Sequence, residues 1–450
     1  MSSWIYALVW FALSLLVGSS LGMILLTEDH SWKMVYLPGK TTHGHYQIEM
    51  KCSECHDPEL GVTSKSCLKC HEEELKEAND THPAKKFNDP VNAARLAVLD
   101  AQNCITCHKE HAPAETHAMG VSMPEDFCFQ CHQEIADERP SHKGMKFNSC
   151  QTSGCHNYHD NRALNENFLR KHLDEIGNLP QQVVPERNAL TRYLAEQSEP
   201  IDPLTAADAR YHSSVPHHPQ LIDDWAKSVH AQVGINCNDC HTQSNDNGKW
   251  QNKVPLATCQ KCHANESDGF LQGMHGMRLA AGLSAMTPGM ARLPMKHDML
   301  HAELSCSSCH APHDTDVRVA AMQACVKCHD DSHTKAYQNS PHARLWQQEL
   351  RGELPPGSGV SCATCHMPRE VSGSSKSPKV TVQHNQNANL QPNETMVRNV
   401  CSNCHGLQFS LDAMHDPKQI EQNFAETPAH SVESLKMVRQ WFDRKKPSTP

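Results

Sequence analysis

Cys52-Ser53-Glu54-Cys55-His56 is the first of eleven units in which two cysteines are followed at once by a histidine. These units use all 22 cysteines of the 450-residue chain. Ten units have two residues between the cysteines, and the unit that starts at Cys150 has four. The paired cysteines are Cys52 and Cys55, Cys67 and Cys70, Cys104 and Cys107, Cys128 and Cys131, Cys150 and Cys155, Cys237 and Cys240, Cys259 and Cys262, Cys306 and Cys309, Cys325 and Cys328, Cys362 and Cys365, and Cys401 and Cys404.

This spacing is the one that covalent haem attachment requires. Two thiols about one helical turn apart reach the two vinyl groups of one porphyrin, and the next residue places its imidazole under the iron. In the wider unit, Gly154 suits the bulged loop that the extra residues need. The sequence therefore predicts eleven covalently bound haem c groups. The predicted iron ligands within the units are His56, His71, His108, His132, His156, His241, His263, His310, His329, His366 and His405.

Other uses of paired cysteines do not explain the pattern. A zinc ribbon needs pairs of pairs and gives no reason for a histidine after every second cysteine. A disulfide framework leaves the histidines unexplained as well. Because every cysteine belongs to a unit, none remains for a catalytic thiol or an iron–sulfur cluster.

The histidine content predicts a second imidazole for each iron. Of 33 histidines, 11 lie in the units and 22 remain, twice the number that eleven second ligands need. His111, His159 and His313 each follow an attachment histidine by three residues, where one helical turn would direct them toward a neighbouring haem. Methionine is the rival ligand, with 18 present, but no regular spacing singles one out. The predicted distal ligands are His45, His82, His111, His142, His159, His230, His275, His301, His313, His342 and His384.

The composition predicts a mainly α fold with extensive loops, wrapped around a chain of haems. Hydrophobic residues make up 38% of the chain and aromatic residues only 5%, so porphyrins are expected to replace a large hydrophobic core. The formal net charge is −10 before haem propionates are counted. A negative surface disfavours nucleic acid and suits a cationic or freely diffusing redox partner.

The N-terminus predicts a single transmembrane anchor at residues 1–27. Residues 4–26 carry no charge, and this run is long enough, at about 1.5 Å per residue, to cross a bilayer core of about 30 Å. A cleaved signal peptide is the alternative, but the apolar run exceeds the usual length and no A-x-A site follows it. Haem attachment of this type takes place outside the bacterial cytoplasm. We therefore expect haem domains in the periplasm, tethered to the inner membrane.

Haem density divides the rest of the chain. Five units lie before residue 157 and six lie after residue 236. This predicts a pentahaem domain at 28–175, a haem-free linker with helical segments at 176–229, and a hexahaem domain at 230–450. Helices are also expected at 161–176, 186–197 and 431–444.

Within both halves the units come in tandem, as Cys52 with Cys67 and Cys237 with Cys259. Each doublet resembles the doubled-motif modules of class III and related multihaem cytochromes. The resemblance implies two haems held face to face, and it carries little information about function.

The C-terminal half contains SVHAQVGINCNDCH, SPHARLW, SCATCHMPRE, VQHNQNANLQPNE and CSNCHG. These segments, within 230–405, look like parts of the octahaem group that includes hydroxylamine oxidoreductase and tetrathionate reductase. The chain lacks the lysine that replaces an attachment histidine in pentahaem nitrite reductases. The resemblance implies an oxidoreductase acting on a nitrogen or sulfur oxyanion at one five-coordinate haem. Tyr337, His342 and Arg344 are the residues beside which we would look for such a site.

Two functions are therefore open. Surplus histidine and intact units favour a membrane-anchored undecahaem cytochrome. It would transfer electrons between the quinone pool, or an integral-membrane quinol-oxidising subunit, and a periplasmic redox protein or terminal reductase. The order of anchor then haems resembles single-helix tetrahaem quinol dehydrogenases, although a helix that is only a tether fits equally well. The alternative is the octahaem-type enzyme, for which the sequence assigns no catalytic residue.

Overall fold

The structure is a computed structural model that describes most of the chain. Cys150, Cys155 and His156, which form the fifth attachment unit, lie outside the described residues. The described residues are 3–26, 30–78, 82, 87–97, 99–117, 120–124, 126–139, 142–143, 157–159, 164, 166–175, 185–186, 188–212, 218–242, 249–374, 377–390, 393–429, 431–432, 435–436, 438–440 and 443.

Short helices joined by loops dominate the described chain, which confirms the predicted mainly α fold. The α-helices are Ser3–Leu26, Ser64–Ala78, Ala93–Leu96, Cys104–Cys107, Ile135–Glu138, Glu166–His172, Ala189–Glu196, Pro219–Lys227, Val229–Gln232, Cys237–His241, Leu256–Gln260, Ala264–Gln272, Met277–Ala280, Cys306–Cys309, Ala324–Val326, Ser332–Tyr337, Pro341–Leu350, Cys362–His366, Asn393–Asn399, Leu407–Met414 and Pro417–Glu421. The 3₁₀ turns are His30–Tyr36, Cys52–Glu54, Pro90–Asn92, Pro113–Glu115, Phe127–Gln130, Ala206–Asp208, Pro288–Met290, His297–Met299 and Cys401–Asn403, and Val319–Gln323 is a π turn.

Two antiparallel hairpins are the sheets of the described chain. In the first, His56–Asp57 pairs with Gly61–Val62. In the second, Arg369–Ser374 pairs with Ser377–Val382, with Arg369 opposite Val382. The second hairpin ends two residues before His384, so it fixes the position of the His384 backbone.

Several attachment units are one-turn helices that begin at a capping residue. Asn236 caps Cys237–His241: its side chain accepts from the Cys237 N–H at 2.8 Å, and its own N–H donates to Asp239 at 2.7 Å. Ser361 caps Cys362–His366 in the same way, with its side chain accepting from the Thr364 N–H. A cap directly before the first cysteine starts the helix there, so both thiols lie on one face.

The Cα packing divides the chain into two compact parts, called below the first unit and the second unit to distinguish them from the attachment units. The first comprises 1–74 and 84–124 and carries the attachment units that start at Cys52, Cys67 and Cys104. The second comprises 75–83 and 125–450 and carries the other attachment units. The boundaries predicted from haem density stay predictions.

The hydrophobic core of the second unit is small. It contains nine buried residues from the segments 164–173, 396–414 and 435, where Leu164, Leu407, Leu411 and Leu435 are each 1% exposed. Helix Glu166–His172 contributes Leu169 to this cluster and is shorter than the helix predicted at 161–176. Helix Ala189–Glu196 lies within the predicted 186–197.

The N-terminal helix Ser3–Leu26 stands apart from this packing. Residues 3–24 have a mean hydropathy of 2.0, and none of that span is buried by the rest of the described chain. Trp4 is 74% exposed and Phe11 68% exposed. This helix is long and apolar enough to cross a bilayer, a property that signal sequences share.

Candidate haem sites

The local backbone of the attachment units brings thiols and imidazole together. In the unit at Cys104 the His108 N–H donates to the Cys104 carbonyl at 2.9 Å, and the unit at Cys306 has the same bond from His310. This bond closes one helical turn around the two cysteines. All twenty cysteines of the described chain are free thiols.

Each attachment histidine of nine units faces a second histidine ring. In every pair one ring comes from an attachment unit and the other from elsewhere in the chain. The pairs, with centroid separations, are His45 with His71 (5.9 Å), His56 with His111 (6.4 Å), His82 with His132 (6.0 Å), His230 with His263 (6.3 Å), His241 with His313 (6.0 Å), His275 with His329 (6.2 Å), His310 with His384 (6.2 Å), His333 with His366 (6.1 Å) and His342 with His405 (6.1 Å).

These separations fit one iron between two imidazoles. A histidine nitrogen binds a metal at about 2.0 Å and lies about 1.2 Å from its own ring centre, so two axial rings would have centroids up to about 6.4 Å apart. The observed range of 5.9 to 6.4 Å matches that geometry. Rings in direct stacking contact would be closer, as His82 and Tyr158 are at 4.0 Å.

Hydrogen bonds orient many of these rings. When Nδ1–H donates to a backbone carbonyl, Nε2 is the nitrogen that remains for a metal. The bonds run from His82 to Tyr158 (2.5 Å), His111 to Gly39 (2.8 Å), His230 to Pro312 (3.0 Å), His241 to Gln251 (2.6 Å), His333 to Ile420 (2.5 Å) and His384 to Val382 (2.9 Å). The Nε2 of His333 also lies 3.1 Å from the Asn423 side-chain nitrogen, a contact that a metal at this ring would displace. The attachment histidine His108 likewise donates to Gly120 at 3.1 Å.

One pair uses carboxylates instead of carbonyls. The Nδ1–H of His45 donates to Glu110 at 2.6 Å, and that of His71 donates to Glu74 at 2.7 Å. Burial alone would raise the pKa of the Glu110 carboxyl, but hydrogen bonds from His45 and Thr42 lower it to about 2. The hydrogen bond from His71 likewise lowers the pKa of Glu74. Both carboxylates are therefore ionised at neutral pH.

Burial keeps several paired imidazoles neutral. It lowers the pKa of His275 to about 4, with a further contribution from the charge of His329. It also lowers the pKa values of His342 and His366 to about 4, and in each case the partner histidine adds to the effect. A neutral imidazole has the lone pair that a metal needs.

Aromatic side chains pack against some of the rings. Trp250 stacks on His241, with centroids 4.5 Å apart and planes 5° apart. Phe409 stacks on His405 at 4.8 Å. These contacts restrict the rotation of the imidazoles that they cover.

Consecutive attachment units touch through their cysteines. In the part of the chain formed by 1–74 and 84–124, Cys67 lies beside Cys104, and burial together with this neighbour raises the pKa of the Cys67 thiol to about 11. In the other part, Cys259 lies beside Cys306, a neighbour that lowers the pKa of the Cys259 thiol to about 7. Cys325 lies beside Cys362, and this neighbour together with burial raises the pKa of the Cys325 thiol. Porphyrins attached at each of these three pairs of units would lie beside one another.

Eight of the eleven predicted distal ligands lie in ring pairs: His45, His82, His111, His230, His275, His313, His342 and His384. His301 is exposed and meets no histidine ring among the described residues. The ring of His159 lies edge-on to Tyr158 at 5.0 Å, and the His142 N–H donates to the Arg139 carbonyl. The assignment of these residues as iron ligands stays a prediction.

His333 is a ring partner that the sequence analysis missed. It follows the attachment histidine His329 by four residues and lies in helix Ser332–Tyr337, where its ring faces His366. A search limited to the three-residue spacing passes over it. The motif Cys328-His329-Asp330-Asp331-Ser332-His333 contains the signal that a broader search would find.

The expected helical turn does not position the histidines that follow their units. Helices Cys104–Cys107 and Cys306–Cys309 both end before the second histidine. His111 instead has a left-handed backbone, with φ of 62°, which directs its ring toward His56. Such a conformation is costly for a residue other than glycine, and it persists where the surroundings fix it.

The residues suggested for an enzymatic site have other partners. The Tyr337 hydroxyl donates to the Val360 carbonyl at 2.8 Å, and His342 faces His405. Arg344 donates to the Asn339 carbonyl from an exposed side chain.

The chain matches a known protein-family model in two regions. A family model described as cytochrome c3 matches residues 44–133 and 229–330, and each matched region contains four attachment units. No curated protein matches the chain. No solved structure matches it either.

Proposed function

We propose that this chain, which is a multihaem c-type cytochrome, conducts electrons between the membrane and a periplasmic acceptor without catalysing a reaction of its own. The observation that carries the proposal is the set of opposed histidine rings. An iron with a strong imidazole on each side has no open position for a substrate. Electron transfer is then the chemistry that such a haem supports.

The proposed complement is eleven haem c groups, each attached at one pair of cysteines and held by the histidine that follows. For nine of these haems, the second ligand is the histidine whose ring faces the attachment histidine, with about 6 Å between the two ring centroids. In this assignment His333 replaces the predicted His301. His142 and His159 stay proposed as distal ligands, with no haem assigned to them.

The contacts between units support a conduction path that follows the sequence. In the part of the chain formed by 75–83 and 125–450, Cys259 lies beside Cys306 and Cys325 lies beside Cys362, and each neighbour shifts the pKa of the thiol that it faces. Neighbouring porphyrin edges favour electron transfer from one haem to the next. Electrons would therefore move between the haem at Cys237 and the haem at Cys401 by way of the haems between them.

The N-terminal helix supports a place at the membrane. Its exposed apolar surface suits a lipid environment, and the haem groups would be held close to the bilayer on the periplasmic side. We propose the quinone pool, or an integral-membrane quinol-oxidising subunit, as the partner at that end. A periplasmic redox protein or terminal reductase would be the partner at the other, and the net charge of −10 suits a cationic docking surface on it.

Ligand binding by the purified holoprotein tests the absence of an open iron. Carbon monoxide added to the reduced protein, or nitrite or hydroxylamine added to the oxidised protein, should leave the Soret band unchanged. Binding of one equivalent with turnover of nitrite or hydroxylamine would overturn the conduit and favour the octahaem-type enzyme. Mass spectrometry of the same sample should give eleven added haems.

Vesicle sedimentation tests the anchor. The full-length holoprotein should sediment with lipid vesicles, whereas a variant in which a cleavable signal peptide replaces residues 1–27 should be exported, keep its haem spectrum and stay in the supernatant. A mature protein whose mass lacks the N-terminal segment would contradict anchoring.

A further inference from the structure

The imidazoles of His45 and His71 differ from the other paired rings in what their outer nitrogens contact. Their rings lie 5.9 Å apart, and both Nδ1–H groups donate to carboxylates, at 2.6 Å to Glu110 and 2.7 Å to Glu74. With the ligand set of the proposed function, on which this inference rests, these rings are the two axial ligands of the haem at Cys67 and Cys70. That haem then has an anion behind each ligand.

The other oriented pairs contrast with this one. In several other pairs the acceptor of Nδ1–H is a neutral carbonyl, such as Gly39 for His111 or Pro312 for His230. Asp331 approaches His329, but the 3.8 Å between Oδ2 and Nδ1 is too long for a hydrogen bond. Carboxylates behind both ligands thus distinguish the proposed haem at Cys67 from the pairs whose described acceptors are carbonyls.

Glu110 is held in place from two further directions. The backbone N–H of Thr42 donates to Oε2 of Glu110 at 2.7 Å, and the Thr42 hydroxyl donates to Oε1 at 2.8 Å. Thr42 is buried, and the Glu110 side chain is 28% exposed. Glu74 lies one helical turn after His71, and its side chain is 63% exposed. Water therefore weakens the Glu74 contact more than the Glu110 contact.

A carboxylate that accepts Nδ1–H draws the proton toward itself and makes the imidazole a more basic ligand. A more basic ligand and a nearby negative charge both stabilise ferric iron over ferrous iron. We propose that Glu110 and Glu74 are positioning residues that give the haem at Cys67 and Cys70 the lowest reduction potential of the three haems in the part of the chain formed by 1–74 and 84–124.

The position of this haem gives the effect a function. Cys67 lies beside Cys104, and Cys70 lies close enough to Cys55 to contribute to the raised pKa of the Cys55 thiol. The haem at Cys67 thus lies between the first and third haems. One electron converts its ferric iron to ferrous iron, and that electron comes from a neighbouring haem. A low potential at the haem of Cys67 would make electron transfer onto it, from the haem at Cys52 or Cys104, energetically uphill.

Potentiometric titration of the full-length holoprotein tests the proposal. In Glu110→Gln the amide keeps the shape but loses the charge. We expect one haem to shift toward the ferrous state by on the order of tenfold in its Fe(III)/Fe(II) equilibrium constant, which is about 59 mV for one electron. Glu74→Gln should shift the same haem by less. The matched control is Glu115→Gln, which removes an equal charge from an exposed side chain that contacts Lys109.

Electron paramagnetic resonance of the same samples separates the outcomes. The g values of one low-spin haem should change in Glu110→Gln and Glu74→Gln, and should not change in Glu115→Gln. Unchanged potentials and g values in both glutamate variants, with all haems attached and low-spin, would overturn the inference and leave the conduit intact. Equal shifts in all three variants would show an effect of net charge alone, which also overturns it. If Glu110→Gln does not fold, Thr42→Val, which removes one donor to Glu110, takes its place.

Discussion

The imidazole planes of His241 and His313 are 4° apart, with 6.0 Å between their centroids. Trp250 stacks on the same His241 ring, 4.5 Å away. By contrast, the planes of His333 and His366 are 86° apart. The chain therefore combines parallel and perpendicular ring arrangements at sites that otherwise share one plan.

These angles predict two kinds of low-spin signal in the oxidised holoprotein. Parallel imidazoles split the two π-type d orbitals of the iron and give a rhombic spectrum, whereas perpendicular imidazoles leave them nearly equal in energy and give a strongly anisotropic one. We expect His313→Met to remove one equivalent of the rhombic signal. His333→Met should remove one equivalent of the anisotropic signal. Loss from the same signal in both variants would contradict the ring geometry.

His333 and His301 form a matched pair of substitutions. His333→Met should raise the potential of one haem, because thioether in place of imidazole favours ferrous iron. His301→Met should leave every potential unchanged, since the His301 side chain is exposed and meets no histidine ring in the described part of the chain. Redox titration of both variants shows which histidine binds an iron. A change in one haem potential in His301→Met, with none in His333→Met, would support His301, the ligand predicted from the sequence.

Asn236 should contribute to stability through its cap. Its side chain accepts from the Cys237 N–H and the Arg210 N–H and donates to the Asp208 carbonyl, all within 2.8 Å. Asn236→Ala should lower the free energy of unfolding by about 1–2 kcal/mol. Asn238→Ala, in the exposed part of the same helix, is the control and should change it by less than about 0.5 kcal/mol. Denaturant unfolding followed by circular dichroism measures both variants. Equal losses of unfolding free energy would show that the Asn236 cap does not contribute to stability.

The small hydrophobic core should be sensitive to truncation. Leu411 is 1% exposed, so Leu411→Ala should cost about 2–5 kcal/mol through lost burial and the cavity that remains. Leu293 is 48% exposed, and Leu293→Ala should cost less than about 0.5 kcal/mol. The same unfolding measurement applies. A loss below about 1 kcal/mol for Leu411→Ala would mean that porphyrin packing, and not this cluster, stabilises the second unit.

Local features of the site could be predicted from the sequence. Two cysteines and a histidine within five residues specify their own geometry, because one helical turn brings them to one face. The helix Ser3–Leu26 follows from an uncharged apolar run in the same direct way. Candidate distal histidines could be proposed from number and spacing.

Which histidine faces which iron depends on tertiary structure. His384 reaches His310 only after the hairpin of Arg369–Ser374 and Ser377–Val382, and no strand was expected there. The sequence pattern favours His301, which precedes a unit, over His333, yet His333 is the one whose ring a helix directs toward an attachment histidine. The carboxylate of Glu110 approaches His45 across a separation in sequence that no local pattern encodes.

The pairing of His310 with His384 has a consequence for biogenesis. A chain exported from its N-terminus presents Cys306, Cys309 and His310 to the haem attachment machinery before His384, with two further attachment units in between. A haem joined to Cys306 and Cys309 at that stage would have one axial ligand from the protein and an accessible face on the other side. Closure of that face would wait for the later segment, and the maturing chain would pass through a reactive form that the finished cytochrome no longer shows.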